Sequence, residues 1–173
     1  MEFCQKNKGK EIHAWCIMTN HVHLIFRSLD TQKPELLLRD LQRFTSRSAI
    51  NAIQENPNES RKEFLLDHFK KEAEKSSNNT KHQFWRHNNK PIDLWSNEVI
   101  QQKIDYIDNH PVEEGIVFRP EDYKYSSALD YAGEKGLLGS VCVFQYFRLY
   151  SQTKGFVRQR GFIYSSFLDL ARC

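Results

Sequence analysis

The segment that most constrains the fold is residues 18–26, which read Met-Thr-Asn-His-Val-His-Leu-Ile-Phe. Successive side chains of a strand alternate between two faces, so His21 and His23 share one face of an extended chain. Residues 12–18 are also strand-like, and the Thr-Asn pair at 19–20 suits a tight turn. The pattern predicts a β-hairpin whose second strand presents two imidazoles on one face. These imidazoles can bind one metal ion, or they can simply make hydrogen bonds.

The composition is that of an ordinary globular protein. The chain has 173 residues with 39% hydrophobic side chains, enough for one domain with a core. No run approaches the roughly 20 apolar residues that span a bilayer, and the first residues lack the apolar core of a signal peptide. The four cysteines are scattered, so we expect a reduced, cytoplasmic protein without membrane contact. The net charge of +3 means that any nucleic-acid binding must come from local placement of charge.

A helix is predicted over about residues 35–54, with one apolar face. Three arginines recur on its other side at intervals of four residues: Arg39, Arg43 and Arg47. Such a stripe can contact the phosphates of a nucleic acid, or it can be an ordinary solvated face. A second, mostly surface helix is expected over 60–75, and Trp85 follows in an extended segment. Trp85 can stack on a base or pack into the core.

The next helix begins at Ser96 or Asn97, and Pro111 is expected to end it at His110. Tyr106 precedes His110 by one turn, so the two side chains lie on the same side of the helix, off its apolar stripe. The alternative is a tyrosine at the edge of the core and a histidine at a helix end. From about Gly136 the sequence becomes basic and aromatic without a regular period. We therefore predict two parts, a domain over residues 1–136 and an atypical tail over 137–173.

In this order the signals resemble the single-tyrosine HUH transposases, in particular the REP-associated branch, which is similar to the insertion-sequence transposases. The most specific signals are Met-x-Asn-His-Val-His at 18–23 and Tyr-Ile-x-x-x-Pro-Val at 106–112. The matching stretches are residues 14–25, 39–46, 83–85, 106–112, 115–117 and 125–128.

The resemblance implies an α+β, ferredoxin-like fold with an antiparallel sheet and helices on one face. Relatives of this kind carry a further strand and most of a helix before the position of Met1. We therefore expect the first strand and most of the first helix to be missing, which would leave the histidine-bearing strand with an unpaired edge.

The resemblance also implies metal-dependent nicking and joining of single-stranded DNA, beside a DNA hairpin, during transposition. Carried over residue by residue, Tyr106 is the nucleophile and His21 and His23 are metal ligands. The third ligand of this branch is usually Asn, but His110 stands there, with Asn109 as an alternative donor. The expected metal is Mg²⁺ or Mn²⁺, although three imidazoles favour manganese, zinc or nickel over magnesium. The residues expected to hold the DNA backbone are Arg39, Arg43, Thr45, Ser46 and Arg47.

Two further functions stay open at this point. One is a catalytically inactive, hairpin-binding relic of such a transposase, which the expected truncation favours. The other is a zinc hydrolase or structural zinc protein that uses the three histidines. The protein is expected to be a monomer or a homodimer.

Overall fold

The computed structural model describes residues 10–28, 33–76, 81–86, 92–94, 96–138 and 161–167. The strands are β1 (Lys10–Ile17), β2 (His21–Ser28), β3 (Ile92–Leu94) and β4 (Gly161–Phe167). The helices are α1 (Pro34–Glu55), α2 (Lys62–Glu74), α3 (Asn97–Glu113) and α4 (Ala128–Tyr131), with a 3₁₀ turn at Pro120–Asp122. The mixed helices and antiparallel sheet confirm the α+β, ferredoxin-like class. The sequence of residues 1–10 is typical of the end of a helix, but residues 1–9 lie outside the described residues and Lys10 begins β1.

The predicted hairpin is present. β1 and β2 pair antiparallel, with Cys16 opposite His23 and Trp15 opposite Leu24. The amide of Met18 donates to the carbonyl of His21 at 2.8 Å and closes the turn. The register shifts between Ile12 and Ala14, as in a β-bulge, so these two residues pack on opposite faces of the sheet.

The sheet has the strand order β1-β2-β4-β3, with antiparallel neighbours throughout. β4 pairs with β2 from His21 opposite Phe167 to Phe26 opposite Phe162. The expectation of an unpaired edge on the histidine-bearing strand is therefore wrong, because residues of the predicted tail supply that edge with backbone partners. The division of the chain at residue 136 stays a prediction.

Both faces of the sheet are covered. On one face α3 packs through Ile104 and Ile107 against a cluster that includes Cys16 and Ile25. On the other face Leu37, at the start of α1, packs with Trp15, Leu24 and Phe26. The prediction that the helices lie on one face of the sheet is therefore wrong for α1. The physical reason is that β2 is apolar on both faces after His23, so each face needs a cover.

The second half of α1 leaves the sheet and packs on α2. Ile50 of α1 and Phe69 of α2 belong to a separate small core, with Phe84 of the following segment packed against it. The predicted ranges of both helices are confirmed to within two residues. Helical spacing puts Phe44 with Leu37 on the predicted apolar face of α1, but this assignment is wrong because Phe44 is 70% exposed. It lies between the part of α1 that packs on the sheet and the part that packs on α2.

α3 begins as predicted, since the hydroxyl of Ser96 accepts from the amide of Val99 at 3.2 Å. The predicted end at His110 is wrong, because the helix continues through the buried Pro111 to Glu113. Proline loses one backbone hydrogen bond but is tolerated here, near the C-terminus of the helix. The extra turn brings Glu113 close to His110.

Candidate metal and tyrosine site

Three imidazoles meet at one end of the sheet. A ligand nitrogen of His21, one of His23 and one of His110 all lie within 4.8 Å of one another. Nε2 of His21 and Nε2 of His110 face each other at 2.9 Å. The ring centroid of His23 lies 4.7 Å from that of His21 and 5.1 Å from that of His110. The structure thus brings together all three histidines that were singled out as metal ligands.

Two local rules place these rings. The two-residue period of β2 puts His21 and His23 on the face that carries Ile25, which is the face covered by α3. His110 reaches them because α3 runs across this face from Ile100 to Ile107 before its last turn.

Tyr106 borders the histidine cluster. Its ring centroid lies 5.7 Å from that of His23 and 5.3 Å from that of His110. The side chain is 40% exposed, and the Lys103 ammonium lies 5.8 Å from the ring centroid. A phenol that is half in solvent and half against a histidine cluster is accessible to a large substrate.

The chemistry of the donor set fits a metal ion. His23 is only 5% exposed, and neither of its ring nitrogens has a hydrogen-bond partner among the described residues. Such unpaired buried nitrogens are costly, and a cation would supply a partner. Burial, followed by the neighbouring His21 and His110, lowers the pKa of His23 to about 4. The imidazole is therefore neutral at pH 7, which is the form that binds metals.

A hydrogen bond to Asn20 orients the ring of His21. Nδ1 of His21 lies 2.6 Å from the side-chain oxygen of Asn20, so Nδ1 carries the proton and Nε2 is left to face the cluster. Nδ1 of His110 lies 3.9 Å from a carboxylate oxygen of Glu113. Sequence reasoning missed both contacts. Asn20 was interpreted only as a turn residue, and Glu113 was placed beyond the end of the helix.

Asn109, the alternative ligand, is exposed and lies about 100° round α3 from His110. Its side-chain amide donates to Glu113 at 3.4 Å. A role of Asn109 as a metal ligand stays a prediction.

Asp108 lies beneath the site and ties α3 to the edge of the sheet. It is 8% exposed, and its carboxyl is 2.8 Å from the hydroxyl of Ser127, which also contacts the backbone of Trp15. Burial raises the pKa of Asp108 to about 7, against the lowering effect of the Ser127 hydrogen bond. In the unfolded chain the carboxyl titrates near 3.8.

We expect Asp108→Asn to remove a pH dependence of stability. Because the folded protein holds this proton up to about pH 7, its stabilising effect is complete below about pH 4 and is lost as the pH rises to 7. The slope in this window is up to ~1.4 kcal/mol per pH unit. Urea unfolding of wild type and variant at pH 5 and pH 8 measures it, and the variant should gain relative stability at pH 8. Parallel pH profiles would contradict it, and the exposed Asp67→Asn is the control.

The residues expected to hold DNA lie elsewhere. Arg39, Arg43, Ser46 and Arg47 line an open groove of about 950 Å³ along α1. The hydroxyl of Thr45 instead donates to the carbonyl of Leu41 at 2.8 Å and accepts from the indole nitrogen of Trp85 at 3.0 Å. The structure thus places the three arginines and Ser46 in one groove, whereas the side chain of Thr45 makes hydrogen bonds within the protein.

Fold and site together define a class: an α+β protein with a cluster of three histidines that could hold a metal ion, and a tyrosine beside it. Residues 1–81 match the model of the family described as "Transposase IS200 like", and this match supports a place among the transposases. The matched part contains His21, His23 and the three arginines, but neither Tyr106 nor His110. No curated protein and no solved structure matches the chain. None of the described helices is long and apolar enough to cross a membrane.

Proposed function

We propose that this protein nicks and rejoins single-stranded DNA during transposition, with Tyr106 as the nucleophile and a divalent metal held by His21, His23 and His110. The observation that carries the proposal is the meeting of three imidazoles with the ring of Tyr106. The family match of residues 1–81 supplies the choice of DNA as the substrate.

The reaction is a phosphodiester exchange. The oxygen of Tyr106 attacks the scissile phosphorus, the phenol loses its proton, and the 3′-oxygen leaves and takes up a proton. The products are a 5′-phosphotyrosine and a free 3′-hydroxyl. Since one phosphodiester replaces another, the reverse attack by a 3′-hydroxyl joins strands without ATP.

The metal, when bound, would neutralise charge on the phosphate oxygens and help to align the in-line attack. The protein contributes position. Tyr106 and His110 lie one turn apart on α3, so a single rigid element holds both the nucleophile and one ligand. The other two ligands come from β2, a strand paired on both sides.

The three imidazoles offer nitrogen donors only. Nitrogen donors suit manganese, zinc and nickel better than magnesium, which prefers oxygen. We therefore favour Mn²⁺ over Mg²⁺ as the ion that supports cleavage.

Arg39, Arg43 and Arg47 would bind the DNA backbone, together with Ser46. They are exposed and recur at every fourth residue of α1, a rise of about 6 Å between neighbours. Guanidinium groups in such a row can each contact a phosphate of a passing strand.

A covalent-adduct assay tests the proposed function. Single-stranded DNA with a hairpin is labelled at either end and incubated with the protein and Mn²⁺. The 3′-labelled strand should then shift with the protein in a denaturing gel. The 5′-labelled strand should be released as a shorter fragment that a polymerase can extend. The absence of an adduct with Mn²⁺, Mg²⁺, Zn²⁺ and Ni²⁺ alike would contradict the proposal.

A second candidate is a DNA-binding protein without cleavage activity. It is favoured by the separation of the arginine-lined groove from the histidine cluster, because no residue of the cluster lines that groove. DNA binding that persists in a chelator, without cleavage in any metal, would support it. Stoichiometric zinc without DNA affinity would instead support a zinc protein.

A further inference from the structure

The arginine-lined groove has a second wall. The segment 81–86 runs beside α1 and contributes Lys81, His82, Phe84, Trp85 and Arg86 to the lining. With the three arginines of α1, five permanently cationic side chains of the described part of the chain line the groove. Among the described residues that line the groove there is no Asp or Glu, although Asp40 contacts Arg39 and the charge of Glu72 acts near Arg86. The lining therefore suits a polyanion.

Trp85 is held rigidly at this groove. Its indole nitrogen donates to Thr45 at 3.0 Å, and its ring meets that of Phe84 edge to face at a centroid distance of 5.2 Å. Phe84 in turn packs on Phe69 of the small core between α1 and α2. A tryptophan fixed by a hydrogen bond and a neighbouring ring has already lost most of its side-chain freedom.

The amide side chains Gln42, Asn51 and Gln54 also line the groove, together with the apolar Ile50. Cations contact phosphates, aromatic rings stack on bases, and amides form hydrogen bonds with base edges. Duplex DNA keeps its bases stacked on each other, so a stacking tryptophan has a use only where bases are unpaired.

The groove and the histidine cluster belong to different parts of the molecule. α1 starts on the sheet face that carries Leu24 and Phe26, whereas His21 and His23 lie on the opposite face with Ile25. A strand bound in the groove is therefore not the strand segment whose phosphate would lie at Tyr106.

We propose that this groove, formed by α1 and residues 81–86, binds an unpaired DNA segment that flanks the cleavage site, with Trp85 stacked on a base. The inference deepens the proposed function and rests on it for the choice of DNA. Binding here needs no metal ion, so the groove anchors the substrate while cleavage takes place on the other face of the sheet.

Fluorescence anisotropy of labelled oligothymidylate in EDTA tests this anchoring. We expect Trp85→Ala to weaken binding roughly 5- to 100-fold, the range for loss of one stacked base. Trp85→Phe keeps an aromatic ring and should stay within about threefold of wild type. On an abasic strand of the same length, all three proteins should bind alike.

The charge on the α1 wall is tested by the same assay. Arg43→Gln should weaken binding and reduce the salt dependence by about one released counterion. Lys70→Gln, which removes one exposed charge from α2 outside the groove, should change neither quantity.

Two outcomes would overturn the inference: equal losses for Trp85→Ala on thymidylate and abasic strands, or equal effects of Arg43→Gln and Lys70→Gln. Adduct formation separates this inference from the proposed function. If the groove works as an anchor, Trp85→Ala raises the DNA concentration for half-maximal adduct formation but not the rate at saturation. If Trp85→Ala does not change adduct formation, the anchoring role of the groove is wrong but the proposed cleavage is not. If Trp85 stacks on DNA but no metal supports cleavage, the proposed cleavage is wrong but the binding in the groove is not.

Discussion

Tyr106→Phe is expected to abolish the covalent DNA adduct, a loss of at least ~10³-fold, because the variant lacks the phenol oxygen that we propose as the nucleophile. The phenyl ring keeps the contacts with His23 and His110. Metal affinity and DNA affinity should therefore stay within about twofold of wild type. The measurement is the denaturing-gel shift of 3′-labelled hairpin DNA, alongside metal titration and anisotropy on the same preparation.

Tyr125→Phe is the matched control. Tyr125 is exposed to a similar degree, 48% against 40%, but lies beside β1 rather than at the histidine cluster. It should form the adduct at the wild-type rate. An adduct that forms in Tyr106→Phe but not in Tyr125→Phe would mean that Tyr106 of α3 is not the nucleophile.

The histidine pair could be predicted from sequence because it depends on a local rule. The two-residue period of a strand puts His21 and His23 on one face in any sheet. Likewise, the 3.6-residue period puts Tyr106 and His110 on one side of any helix. That the strand and the helix meet was not a consequence of either period. It came from the resemblance to a family in which these elements face each other.

The strand that completes the sheet could not be predicted in this way. Residues 161–167 pair with β2 across more than 130 positions of the sequence, and their side chains show no clear alternation. Strand pairing is made by backbone groups that every residue carries, so the side chains alone do not identify the partner strand. The partner of a strand edge is a property of the whole fold.

The environment of the site was also beyond sequence reasoning. Pro111 indicated a helix end at His110, yet its buried packing lets α3 continue to Glu113. Nothing in the sequence marks Asp108 as buried, and it is the burial beside Ser127 that raises its pKa to about 7. Local propensity predicts neither the end of α3 nor the pKa of Asp108, because both depend on packing between distant segments.

Replacing His23 by Leu is expected to make the metal-free protein more stable than wild type and to remove the stabilisation that a bound metal gives. Both ring nitrogens of His23 are buried without a hydrogen-bond partner in the described part of the chain. An apolar side chain of similar size removes that cost, so we expect the metal-free variant to be more stable than wild type by about 1–3 kcal/mol. For a chain of this length the gain corresponds to a rise of roughly 2–10 °C in Tm, measured by calorimetry in EDTA.

Added Mn²⁺ should then raise the stability of wild type but not that of His23→Leu. Ligand at 100 times its Kd stabilises the folded state by about 2.7 kcal/mol, while a variant with two of three imidazoles should bind at least ~100-fold more weakly. His68→Leu is the control, since a ring nitrogen of His68 on α2 is also buried without a hydrogen-bond partner among the described residues, but His68 lies outside the cluster. It should keep the full response to Mn²⁺. A His23→Leu protein that still gains stability with the metal, or that is less stable than wild type in EDTA, would mean that His23 is held for packing rather than for coordination.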